Sequence, residues 1–87
     1  MIEVNAVGDD EYEVTVNQGG GATKHRVTMT AQQQERFCPG RSPEACLEAA
    51  FRFLLDREPA QAILGQFDIT VIGKYFPEFE AKIADYL

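Results

Sequence analysis

Lys24-His25-Arg26-Val27-Thr28-Met29-Thr30-Ala31-Gln32-Gln33 holds the change of period that decides the fold. Up to Met29 the apolar positions His25, Val27 and Met29 alternate with Lys24, Arg26 and Thr28, the period of a strand. From Thr30 the pattern is that of a helix start. Thr30 fits an N-cap, and Gln33 fits the residue that reaches back to it in a capping box.

Upstream, the period of two continues. Ile2, Val4 and Ala6 alternate with Glu3 and Asn5. Gly8-Asp9-Asp10 is a turn signal. Tyr12, Val14 and Val16 then alternate with Glu11, Glu13, Thr15 and Asn17. Gly19-Gly20-Gly21 turns the chain at positive φ at no steric cost. Residues 1–30 therefore read as an antiparallel meander of two or three strands with one apolar and one wet face. On the wet face Glu11, Glu13 and Thr15 are expected beside Lys24, Arg26 and Thr28. The glycines lead into a strand and carry no Gly-Lys-Ser/Thr, so they read as a hairpin loop and not as a phosphate cradle.

Downstream, residues 31–87 read as mainly helical. A short helix over Ala31–Phe37 is expected to end before Cys38-Pro39-Gly40. Ser42-Pro43-Glu44 opens a second, with an N-cap, a proline at the first position and an acid in the first turn. Cys46, Leu47, Ala50, Phe51, Phe53, Leu54 and Leu55 form its wide apolar face; Glu44, Glu48, Arg52 and Asp56 form its polar stripe. This central amphipathic helix, about 43–57, stops at Pro59. Ala60–Leu64 is expected to add one turn. Phe67–Phe76 fits either a strand or a short helix, and the helix is preferred because the apolar run outlasts the strand period. Pro77 opens a last helix, with Phe79, Ile83 and Tyr86 or Leu87 on its apolar stripe pointing back to the Phe51–Leu55 face. The expectation is one α+β domain over 1–87.

Two segments, Phe53-Leu54-Leu55-Asp56-Arg57-Glu58-Pro59 and Tyr75-Phe76-Pro77-Glu78-Phe79-Glu80, together with the Tyr12–Met29 hairpin, resemble a family of small uncharacterised bacterial proteins. That resemblance implies a bacterial, cytoplasmic setting and no particular activity. The run from Cys38-Pro39-Gly40 to Ser42-Pro43-Glu44-Ala45-Cys46-Leu47-Glu48-Ala49-Ala50 resembles the turn and helix start of HicB-type antitoxins. This second likeness implies a transcription-linked, DNA-binding role. The extra helix at Ala31–Phe37 departs from that pattern.

Composition narrows the function classes. With 45% hydrophobic and 25% charged residues the chain is an ordinary globular one. Its net charge of −6 disfavours nonspecific binding to nucleic acid or membranes. No apolar run approaches a membrane span, and the start at Met1-Ile2-Glu3-Val4 reads as mature cytosolic protein. Cys38 and Cys46 are expected to be free thiols, as in a reducing compartment. Either of them with His25, the one histidine, is the sole candidate nucleophile–base pair. His25 reads better as a sheet-edge residue with one nitrogen bonded, and Cys46 as a buried thiol. No metal, cofactor or catalytic residue is expected, and the chain reads as a non-enzyme.

Residues 24–41 form a basic island, with Lys24, Arg26, Arg36 and Arg41 against Glu35 alone. These four are the nucleic-acid contacts of the antitoxin-like alternative; pairing with the acidic second strand is the simpler reading. The last 21 residues hold five of the nine aromatics. Tyr75, Phe76, Phe79 and Tyr86 are accordingly the candidate contacts for a partner, either another protein or a second copy of the chain. The leading expectation is a small protein-interaction or regulatory module.

Overall fold

A computed structural model describes all residues, Met1–Leu87. The chain is α+β. Strands β1 (Ile2–Gly8), β2 (Glu11–Gln18) and β3 (Gly21–Thr28) precede helices α1 (Ala31–Phe37) and α2 (Pro43–Leu55). A 3-10 turn at Ala60–Ala62, strand β4 (Gln66–Asp68), helices α3 (Thr70–Tyr75) and α4 (Phe79–Lys82), and a 3-10 turn at Ile83–Tyr86 complete the order.

The hairpins follow from their turn residues. β1 and β2 pair antiparallel, from Ile2 opposite Val16 to Ala6 opposite Tyr12, with a bulge between Ala6 and Gly8. Asp10 turns the corner at φ 57°, a conformation that Asp tolerates better than most residues. Between β2 and β3 the register closes at Gln18 opposite Gly21, leaving a two-residue loop. Its residues Gly19 and Gly20 have φ of 54° and 83°, the two positive values that a type I′ turn demands.

The predicted two faces of the meander are present. Val14, Val16 and Val27 are buried on one. On the other, Arg26 meets Glu11 at 3.3 Å and Lys24 meets Glu13 at 4.0 Å.

Two features of the sheet differ from expectation. It has four strands, in the order β1-β2-β3-β4, and β4 runs parallel to β3. The stretch read as one short helix is therefore a three-residue strand followed by a helix. Three residues carry little periodic signal, whereas Ile69, Ile72 and Phe76 supply a helical one. Backbone bonds from Arg26 N–H to the Gly65 carbonyl and from Ile69 N–H to the Thr28 carbonyl hold β4 in place, both within 3.0 Å.

Helix starts match their signals. Thr30 and Gln33 form the reciprocal capping box of α1, and Ser42 Oγ accepts from Ala45 N–H at the head of α2. The last helix is shorter than its pattern suggests: four α-helical residues tighten into a 3-10 turn. Its apolar stripe packs back as predicted. The Phe79 ring lies 5.1 Å from that of Phe53 and 5.3 Å from that of Phe37.

The cysteine expectation is corrected. Cys38 and Cys46 form a disulfide, with Cα atoms 5.6 Å apart. The turn through Pro39 and Gly40 (φ 77°) brings the end of α1 beside the first turn of α2. Both cysteines are fully buried. The error came from treating compartment as a guide to thiol state, when local geometry already places the two side chains together.

The disulfide gives a first prediction. Denatured without reductant, the chain takes up no iodoacetamide; denatured with it, two equivalents. Closing so short a loop removes about 2–3 kcal/mol of unfolded-state entropy, so reduction lowers unfolding stability by that order in urea titrations. The tail gives a second. Phe79 is wholly buried among aromatic rings, so Phe79→Ala costs about 3–5 kcal/mol by the same measurement. A chain ending at Gly65 melts well below the full chain for the same reason.

Candidate binding groove

The surface beside β4 is built by chain economy. After α2, Pro59 extends the backbone, and the 3-10 turn drops Ala60 and Ile63 into the core. His25 then anchors the following loop. The Leu64 carbonyl can only accept, so His25 Nδ1 carries the hydrogen and donates to it at 2.8 Å. Nε2 meets the Thr23 hydroxyl, also at 2.8 Å. The ring packs on Phe51, with centroids 5.3 Å apart. His25 is therefore a buried residue with both nitrogens engaged, in place of the edge residue with one bond expected from sequence.

Asp68 fixes the other wall. Its Oδ1 accepts from the Thr28 hydroxyl at 2.8 Å. Its Oδ2 accepts from Thr70 N–H at 3.0 Å, from the Thr70 hydroxyl at 2.5 Å and from Gln33 Nε2 at 3.3 Å. One carboxylate thus joins β3, α1 and the head of α3. Burial works to raise its pKa, but these donors prevail and hold it below the usual Asp value.

Between these walls lies an apolar groove of about 210 Å³. Leu54 and Phe67 form part of its lining, Ile63 and Leu64 come from the loop, and Val71, Ile72, Tyr75 and Phe76 from α3 and its end. Glu58 is the one charged group on the lining; it is half-buried and in no ion pair. Leu64 and Tyr75 stand at the rim, 45% and 67% exposed.

The structure separates the predicted contact residues. Tyr75 and Phe76 line the groove. Phe79 is core, which removes it from the exposed set. Tyr86 faces α2: its hydroxyl donates to Asp56 Oδ2 at 2.6 Å, and its ring meets Phe53 edge-on. Sequence reading missed Leu64, Glu58 and Val71. The adjacent pair Ile63-Leu64 before Gly65 was the available signal, two neighbouring large apolar residues that one short turn does not bury together.

The basic island is dispersed. Lys24 and Arg26 pair across the sheet as described, and Arg36 forms a two-pronged bond with Glu80 at 2.8 and 3.0 Å. Of the four, only Arg41 lacks an ion pair. No three His, Cys, Asp or Glu side chains come together as a metal cluster. No helix is long and apolar enough to cross a membrane.

Asp68 yields a pH prediction. Its folded pKa is depressed, so its contribution is complete above the unfolded value of about 3.9 and fades as pH falls through the folded one. Asp68→Asn lowers stability by about 1–3 kcal/mol at pH 7. In urea titrations the gap between the two proteins narrows at pH 3.

No protein-family model matches this chain, and no curated protein or solved structure matches it.

Proposed function

We propose that the protein is a small, non-catalytic interaction module whose groove beside β4 receives an apolar side chain of a protein partner, with a Lys or Arg of that partner set against Glu58. The groove itself carries this reading. At about 210 Å³ it falls below the roughly 300–1,000 Å³ of small-molecule sites, and it suits one anchoring side chain. An unpaired carboxylate on an otherwise apolar lining favours a basic neighbour to that anchor, and the net charge of −6 favours it again.

The reading as a non-enzyme rests on engaged groups. Both candidate nucleophiles share a disulfide, and both nitrogens of the one histidine are taken. The antitoxin-like, DNA-binding alternative draws less support, because three of its four contact residues already have carboxylate partners. A disulfide between buried cysteines fits an oxidising compartment, so the reading does not retain the cytoplasmic assignment.

Selection of a displayed random-peptide library on the immobilised protein tests the proposal. Enriched peptides are expected to carry a large apolar residue beside Lys or Arg. Leu64→Asp or Tyr75→Ala is expected to weaken the best peptide at least about tenfold, as for central interface anchors, with the melting temperature held. Failure to enrich, or binding indifferent to both changes, overturns it.

A further inference from the structure

The two edges of the sheet differ. β4 has three residues, and short strands make poor templates. β1 has seven, with no Lys and no Pro, and its one bulge lies at the far end. Natural sheets usually defend an edge of that length.

The outward groups of β1 follow from one observation. Met1 and Asn17 exchange both main-chain bonds, at 2.7 and 2.8 Å. Antiparallel alternation then turns Glu3 and Asn5 toward β2, and leaves the N–H and C=O groups of Ile2, Val4 and Ala6 pointing away from the sheet.

We propose that β1 pairs antiparallel with β1 of a second copy, about a two-fold axis at Val4, to make a continuous eight-stranded sheet. The sequence is self-complementary in this register. Val4 faces Val4, and Ile2 faces Ala6, through the outward groups. Glu3 faces Asn5, so no like charges meet. Met1 and the bulge residue Val7 come together at the ends of the paired segment, and these are two of the four large hydrophobics left exposed, at 81% and 45%. A two-fold centred on Glu3 would set two carboxylates together, and one centred on Asn5 would run the pairing through the bulge between Ala6 and Gly8 and set Glu3 against Val7. Ile2 and Val4 pack on the core side, so the half-buried apolar edges of both copies become continuous. An interface of one strand pair is small. The dimer is therefore expected to be weak.

Sedimentation equilibrium from about 10 µM to 1 mM tests this. A monomer–dimer equilibrium is expected in the full chain. Ala6→Pro removes one outward N–H at an exposed position and no bond to β2. It is expected to raise Kd at least tenfold and to leave the melting temperature of dilute protein unchanged. The register is read separately. An equimolar mixture of Glu3→Cys and Asn5→Cys proteins under mild oxidation is expected to give mainly the mixed cross-linked dimer, with little from either protein alone. A monomer at 1 mM overturns the proposal. So does a dimer that Ala6→Pro leaves intact while folded, or cross-linking that favours like pairs. Should Ala6→Pro not fold, the cross-linking pattern alone decides.

Discussion

Helix α2 has to be buried on two opposite sides, and most of the remaining structure answers that constraint. Phe51 and Phe53 lie two residues apart, about 200° around the helix. Phe51 packs toward the sheet, against His25 and Phe67. Phe53 points the other way and meets Phe76, Phe79 and Tyr86. A three-stranded meander covers only the first side. The chain from α3 onward exists, in energetic terms, to cover the second. An exposed phenylalanine would forfeit about 1.5–3 kcal/mol. The only strip left for water is the Glu44, Glu48, Arg52 and Asp56 line, where Arg52 and Glu48 pair one turn apart.

The tail is also held by a polar clasp. Arg57 lies 3.6 Å over the Phe53 ring and donates to Glu78, to the Tyr86 hydroxyl and to the Phe53 carbonyl. Glu80 takes Arg36 from α1. Charges that look like a patch in sequence are consumed in these contacts. The acids near a helix start and the bases on other elements find one another only after folding. Linear charge counting therefore overstated the basic surface of residues 24–41.

The legible parts of the fold were those with a repeating period or a specific turn chemistry. The meander, both helix caps, the α2 face and the return of Phe79 to it all follow from spacing. What was illegible depended on distance in space. β4 is too short to show alternation, and its parallel pairing with β3 joins Val27 to Phe67 across 40 residues. The disulfide depends on how tightly Cys38-Pro39-Gly40 turns. To the groove, the aromatic tail contributes Tyr75 and Phe76. Sequence reading could not distinguish Tyr75, which ends α3 in solvent, from Phe79, which the proline bend swings into the core. That separation is set by where α3 stops, at Phe76 before Pro77.

The sheet order gives the two proposed surfaces a spatial logic. β4, which contributes Phe67 to the groove, and β1 are opposite edges of one sheet. Pairing through β1 therefore leaves both grooves free, at the two far ends of the joined sheet. Two weak sites on one rigid body bind a partner with two basic-apolar anchors far more tightly than either alone, provided its linker spans the distance. A groove for a single side chain offers too little area for a stable complex by itself. In a dimer that smallness becomes tolerable, because affinity then depends on the spacing of the two grooves as much as on the fit of each.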